Sequence, residues 1–287
     1  PWPNAGPYVL YAAGGSGYSH LVRAERFALA WLEKNGYDYD IVGDLDVHRN
    51  PSLLSDYKVV LINGHGEYWT RKAYEGLDRY LCAGGNLIVL SGNVMVWRVS
   101  FNEDESIMEC RKLGAGLGGR PGCSVGELWH SQDGRRGNLM RECGLPAWRV
   151  IGLSMLGWSG ITPNDFGFYE VEYPDHFLFQ RPKKVGLEKG ESFGGDPDGG
   201  LPRPVGHECD VRVALFRQLT KEVPEGATLP DEPEGIVTLA NGILPKYSAF
   251  DYFVQPVKLE DAVVAHMIYW ERPQGGRVFH AGSLGSG

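Results

Sequence analysis

Between Lys58 and Leu90 the chain runs through an apolar stretch, a polar loop, a capped amphipathic segment, a double glycine and a second apolar stretch. Lys58 to Ile62 predicts a strand. Thr70 can cap a helix whose Ala73, Leu77, Tyr80 and Leu81 share one face, and Gly84-Gly85 stops that helix before a second strand, Asn86 to Leu90. Strand, helix and strand joined by short loops predict a right-handed crossover and parallel pairing.

The surrounding sequence extends this pattern. An apolar run from Tyr8 to Ala12 and a short run from Tyr39 to Val42 predict strands, with a helix from about His20 to Lys34 between them. That helix carries Leu21, Ala24, Ala28, Trp31 and Leu32 at three- and four-residue spacing, a stripe that should face a sheet, and Asn35-Gly36 ends it. Beyond Trp97, glycine- and proline-rich stretches such as Gly114 to Gly122 and Gly194 to Pro204 separate short runs, Trp148 to Leu153 and Phe166 to Glu172 among them. These read as loops and antiparallel strands. Gly235 to Ala240, Ala262 to Trp270 and Gly276 to Ala281 then read as strands returning to the first sheet. The expected fold is α/β and flavodoxin-like, with a mostly parallel sheet covered by helices on both faces. In this single domain, residues 1–100 and 235–287 form the core sheet and residues 101–234 a loop- and β-rich elaboration.

The net charge of -8 in 287 residues argues against nucleic acid or an anionic membrane as partner, since both call for clustered Lys and Arg. No apolar run approaches the roughly 18 residues of a membrane helix, and the first residues lack a secretory pattern. Five cysteines without a Cys-x-x-Cys pair exclude a thiolate zinc site and a dense disulfide framework. A soluble protein of the reducing cytoplasm is expected.

Asn63-Gly-His-Gly-Glu-Tyr-Trp-Thr70 leaves the carboxyl end of the Lys58–Ile62 strand, where open α/β sheets bind ligands. His65, Glu67 and Tyr68 together suit iron, manganese or zinc, a coordinated phenol losing its proton; a hydrogen-bonded cap and core packing account for the same residues. Ser91-Gly-Asn-Val94 follows the next strand at the place where a nucleophile elbow would stand. Its tip is Asn93, which cannot attack a carbonyl, but which tolerates left-handed backbone and can donate to an oxyanion. Glu127, His130 and Asp133 lie within seven residues and either join the site or form a solvated loop. Asp44-Leu-Asp-Val-His48 either lines the same crevice or supplies helix caps. His207-Glu208 repeats the look of the first motif at a distance.

Several segments together resemble the carboxyl-terminal catalytic region of the N,N-dimethylformamidase large (beta) subunit. They are the run from Glu25 through Trp31 to Tyr37, Asp44 to His48, Gly64 to Thr70, Leu90 to Arg98, His130 to Arg141 and Gly275 to Ser283. The resemblance implies a class I glutamine amidotransferase-like fold, mononuclear iron held by two tyrosines and a glutamate, and hydrolysis of small formamides by a hydrolase of linear amide C–N bonds. On it, Tyr68 is an iron ligand. The helix offers Phe27 where the second tyrosine is sought, leaving Tyr37, Tyr39 or Tyr18; Gly134-Arg135 stands where Gly-Glu is expected, leaving Asp133 or Glu127 as the carboxylate. Glu67 or His65 would move protons, and Asn93 or backbone N–H groups would steady the oxyanion. A small amide substrate and a homo-oligomer or small accessory subunit follow as expected partners. Two rivals stay open: a non-catalytic amidotransferase-like domain binding a sugar or small metabolite, and a thiol amidotransferase, which would need a cysteine meeting a histidine in the crevice.

Overall fold

The computed structural model describes residues 25–112, 128–160, 163–195, 203–219, 231–249 and 257–286. The predicted strand at Tyr8 to Ala12, Tyr18, Glu127 and the Gly114 to Gly122 stretch lie outside them. No described helix is long and apolar enough to cross a membrane.

Among the described residues a seven-stranded sheet organises the molecule. Its spatial order is β1 (Val59–His65), β3 (Asn86–Gly92), β14 (Arg277–His280), β13 (Ala262–Glu271), β10 (Ile236–Leu244), β7 (Phe168–Val171) and β8 (Ser192–Phe193). β1, β3 and β14 run parallel, and every later neighbour pairs antiparallel. Among the described residues the sheet is therefore mixed, where the sequence predicts it mostly parallel. The cause is local: a Pro-Gln-Gly-Gly turn joins β13 to β14, and a hairpin can only pair antiparallel strands. β7 and β8, from the 101–234 segment, extend the same sheet.

Four strands, β12 (Val257–Leu259), β11 (Tyr247–Ala249), β6 (Ser154–Trp158) and β9 (Glu208–Val211), form a second sheet. β2 (Tyr68–Trp69), β4 (Trp97–Phe101) and β5 (Met108–Cys110) form a third.

Strand alternation decides what each face of the large sheet buries. Leu87 and Val89, Val278, and Ile268 and Trp270 point to one side, where they pack with Tyr74, Leu77 and Leu81. Ile88, Phe279, Met267 and Tyr269 point to the other, where they line an open groove of about 920 Å³ with Phe179 and Leu239.

The first described helix, α1 (Arg26–Lys34), buries no residue. Its Trp31, expected to face a sheet, is 55% exposed and stacks on Tyr37 at 5.4 Å. The run Tyr39 to Val42 forms no strand, and Ile41 is exposed. A short helix, α2 (Asp44–Arg49), follows, with the Gly43 N–H donating to Asp46 Oδ2 at 3.1 Å, so Asp46 serves as a cap. α3 (Arg71–Cys82) starts where the sequence predicts it: the Thr70 hydroxyl accepts from the Ala73 N–H at 3.1 Å, and Ala73, Leu77, Tyr80 and Leu81 are all buried.

Candidate functional site

The site is assembled at the carboxyl ends of β1 and β3, where two turns lock together. After His65 the chain turns through Gly66 and Glu67 into β2, and after Gly92 it turns through Asn93. The N–H of Met95 donates to Gly66 O at 2.9 Å, and those of Val96 and Trp97 donate to Glu67 O at 3.0 Å. Glu67 and Tyr68 are thus held by main-chain bonds from the second turn, independent of their own side chains.

Asn93 has φ 59°, the left-handed conformation anticipated for the elbow tip. Its N–H donates to Asp210 Oδ1 at 2.7 Å, and the Val94 N–H donates to Asp210 Oδ2 at 3.4 Å. Asp210, from β9, is fully buried, with His280 Nε2 3.4 Å from its Oδ2. The backbone donors considered for an oxyanion are therefore satisfied by a carboxylate of the protein itself. The Asn93 side chain is turned to Glu208 instead.

Glu208 is the residue whose role the sequence least reveals. It sits at the start of β9, and its Oε2 is 2.6 Å from His65 Nε2. The approach depends on Gly92: a Cβ there would lie 2.2 Å from Glu208 O and 2.9 Å from Leu284 N, so only glycine admits this backbone. The sole hint in the sequence is the repeated His-Glu pair, since 143 residues separate Glu208 from its partner.

Electrostatics follow from this pairing. Burial opposes a charge on His65, but the Glu208 hydrogen bond and the charges of Glu208, Glu67 and Asp210 outweigh it and raise the imidazole pKa. Burial likewise favours neutral Glu208, yet the hydrogen bond and charge of His65 prevail and lower its pKa. Both shifts favour the imidazolium–carboxylate form of the pair. His65 Nδ1 lies 3.8 Å from Glu67 Oε2, which brings a second carboxylate to the same ring.

Tyr68 lies on the other side of Glu67. Lys112 donates through Nζ to the Tyr68 hydroxyl and to Glu67 Oε1, the latter at 3.2 Å. The same ammonium stands 4.5 Å from the centre of the Tyr68 ring and 5.2 Å from that of Trp97, within cation–π range. Burial raises the Tyr68 pKa and Glu67 adds to this, while Lys112 offsets only part of it. Tyr68 is a neutral phenol here.

The other candidates are placed elsewhere. β2 pairs with β4 so that Tyr68 meets Trp97 and Trp69 meets Arg98. Side chains alternate along strands, which sends Arg98 to the face opposite Tyr68, and Asp133 follows it there, bonded to Arg98 Nη2. Asp133 lines a cleft of about 320 Å³ with His48, Arg71, Arg98 and Arg135. His130 is buried and bonds Ser100 Oγ at 2.6 Å. Phe27 and Tyr37 are exposed, and Tyr39 donates to Glu33 at 3.0 Å. Cys209, the cysteine next to Glu208, is fully buried, and burial pushes its thiol up to about 12, so it is no nucleophile.

The described residues do not bring together two tyrosines and a glutamate to hold iron, and Tyr18 and Glu127, the other donors the resemblance offers, lie outside them. The Tyr68 oxygen is engaged by an ammonium, Asp133 is paired on the opposite face, and Tyr37 and Tyr39 are directed elsewhere. Among the described residues no group of three His, Cys, Asp or Glu side chains is arranged to hold a metal.

A mixed α/β sheet with an acid, base and ammonium cluster at the ends of its parallel strands defines the class to which the comparisons add a family. Residues 4–285 match the family described as N,N-dimethylformamidase beta subunit-like, C-terminal, and the chain belongs to that family. The N,N-dimethylformamidase beta subunit of Paracoccus aminophilus is 32% identical over 190 residues, which cover 62% of this chain and 23% of that protein. The protein of the same name from Alcaligenes sp is 33% identical over 159 residues, 53% of this chain and 19% of that protein. The chain thus spans about a fifth to a quarter of the length of these relatives.

Proposed function

We propose that this chain hydrolyses a small amide or formamide, in the manner of the N,N-dimethylformamidases whose family it shares, in the crevice bounded by His65, Glu67, Tyr68, Lys112 and Glu208. The observation that carries this reading is the His65–Glu208 contact at 2.6 Å with Glu67 beside it, an acid and a base held together at the sheet's carboxyl edge. Glu67 takes a proton from water as the water oxygen adds to the amide carbon. The Lys112 ammonium and the Tyr68 hydroxyl face the carbonyl oxygen as it gains charge. The His65 imidazolium, held by Glu208, then protonates the leaving nitrogen as the C–N bond breaks, and the proton on Glu67 returns to His65. Water is consumed, and a carboxylic acid and an amine leave.

The parallel β1, β3 and β14, with the left-handed Asn93 turn after β3, support a flavodoxin-like, amidotransferase-like core as part of the same proposal. The relatives are named as beta subunits, and we extend that to an accessory subunit or a homo-oligomer here.

Amine release from N,N-dimethylformamide and a panel of short formamides tests the reading. Turnover is expected, with Glu67→Gln slower by at least about a hundredfold, the usual worth of general acid–base catalysis. Full activity in Glu67→Gln would overturn the assignment. Calorimetric binding of these amides without turnover would favour the rival binding domain, which Arg135 in place of an expected carboxylate supports.

A further inference from the structure

Lys112 places a permanent positive charge where the resemblance calls for a metal ion. Its Nζ donates to both the Tyr68 oxygen and Glu67 Oε1, the oxygen donors nearest each other in the crevice, and its ammonium packs over the Tyr68 and Trp97 rings. A cation bridging phenol and carboxylate would have to enter this space against a like charge, which a part-buried setting does little to screen. Among the described residues the other oxygen donors named for the metal or placed in the crevice are engaged elsewhere: Asp133 with Arg98, Glu208 with His65 and Tyr39 with Glu33.

We infer that Lys112 is the built-in cation of this site, standing in for a metal, so that the Tyr68–Glu67 crevice receives the oxygen of a neutral carbonyl or a small carboxylate and does not take up iron. A metal and this lysine are alternatives because both seek the same two oxygens. The inference concerns what fills the crevice and does not depend on amide hydrolysis, so a failed activity assay leaves it intact.

The test uses ferric nitrilotriacetate as the probe. Wild type, Lys112→Met, Lys112→Gln and the double variant Lys112→Met with Tyr68→Phe are incubated with it, desalted, and read for iron content and visible absorption. Wild type should retain no iron and stay colourless. Lys112→Met should retain iron with at least about tenfold higher affinity once the opposing charge is gone, with a phenolate-to-iron band that the double variant loses. Lys112→Gln removes the charge but keeps a polar side chain, one atom shorter, and guards against misfolding of the methionine variant. Stoichiometric iron in wild type with a Tyr68-dependent band overturns the inference, and so does a folded Lys112→Met or Lys112→Gln that binds no more iron than wild type. The wild-type arm decides alone if neither variant folds.

Discussion

His65 and Glu208 show at the scale of single residues how a charge pair fixes a site. Each is about 15% exposed, 14% and 16%, so removing one partner leaves the other poorly hydrated. Glu208→Ala is expected to cost about 2 kcal/mol in urea unfolding near neutral pH, the usual worth of a hydrogen bond to a charged group. It should also move the His65 titration, followed by NMR of the ring protons, to lower pH, because the hydrogen bond and charge that raise it are gone. The sign is fixed by linkage. A raised histidine stabilises the fold below its unfolded value of 6.5, and that contribution fades as pH rises through the folded value. A His65 titration unmoved in Glu208→Ala would contradict the pairing. Gly92 is the complementary case, in which a single absent methyl group permits the contact. Gly92→Ala would press a Cβ into two main-chain atoms, Glu208 O and Leu284 N. Overpacking of this kind costs about 1–3 kcal/mol, and the loss should appear as a lower thermal midpoint together with a weakened His65–Glu208 pair.

Secondary-structure elements position these residues through their ends. Thr70 ends the site loop and begins α3, and its hydroxyl both accepts from Ala73 N–H and meets His48 Nδ1 at 3.0 Å. Thr70→Ala is expected to lower stability by about 1 kcal/mol and Thr70→Ser to restore most of it, by chemical denaturation. Equal stability of the two variants would mean that the cap carries no weight. This cap is legible in the sequence because it is local: a threonine, a helix period and a double glycine suffice. β1 and β3 are legible for the same reason. The helix Arg26–Lys34 is only half so, since periodicity finds the helix but not that Trp31 stacks on Tyr37 outside any core. Tyr39 to Val42 has the composition of a strand and no neighbour among the described strands to pair with. The site divides along the same line. His65, Glu67, Tyr68 and the left-handed Asn93 are contiguous in two loops and stand out, whereas Glu208, Asp210 and Lys112 arrive from distant segments, and no periodicity encodes that meeting. Asp133 is misplaced by sequence reasoning because only strand register reveals that Arg98 leads it to the opposite face.

The whole molecule rests on a sheet whose two halves differ in pairing, and β9 and β13 carry buried and part-buried polar groups that the fold holds in one charge state. His266, on β13, is the clearest of these. It accepts the Arg212 N–H through Nδ1 at 3.0 Å, which requires a neutral ring with that nitrogen unprotonated. Burial lowers its pKa first, the nearby Arg212 charge lowers it further, and the Glu232 charge only partly compensates, leaving it at about 4. The unfolded chain holds this histidine at 6.5, so as pH falls below that value the unfolded state takes up a proton that the folded state refuses. Stability is full above 6.5, declines as pH falls towards about 4, and receives no further penalty from this group below. The loss over that window amounts to up to about 3 kcal/mol, from about 1.4 kcal/mol for each unit of separation. His266→Gln, which can accept the same hydrogen bond without titrating, should flatten the fall in urea-unfolding free energy between neutral and mildly acidic pH. A variant that keeps the wild-type slope would place the acid sensitivity in another group and remove His266 from the account.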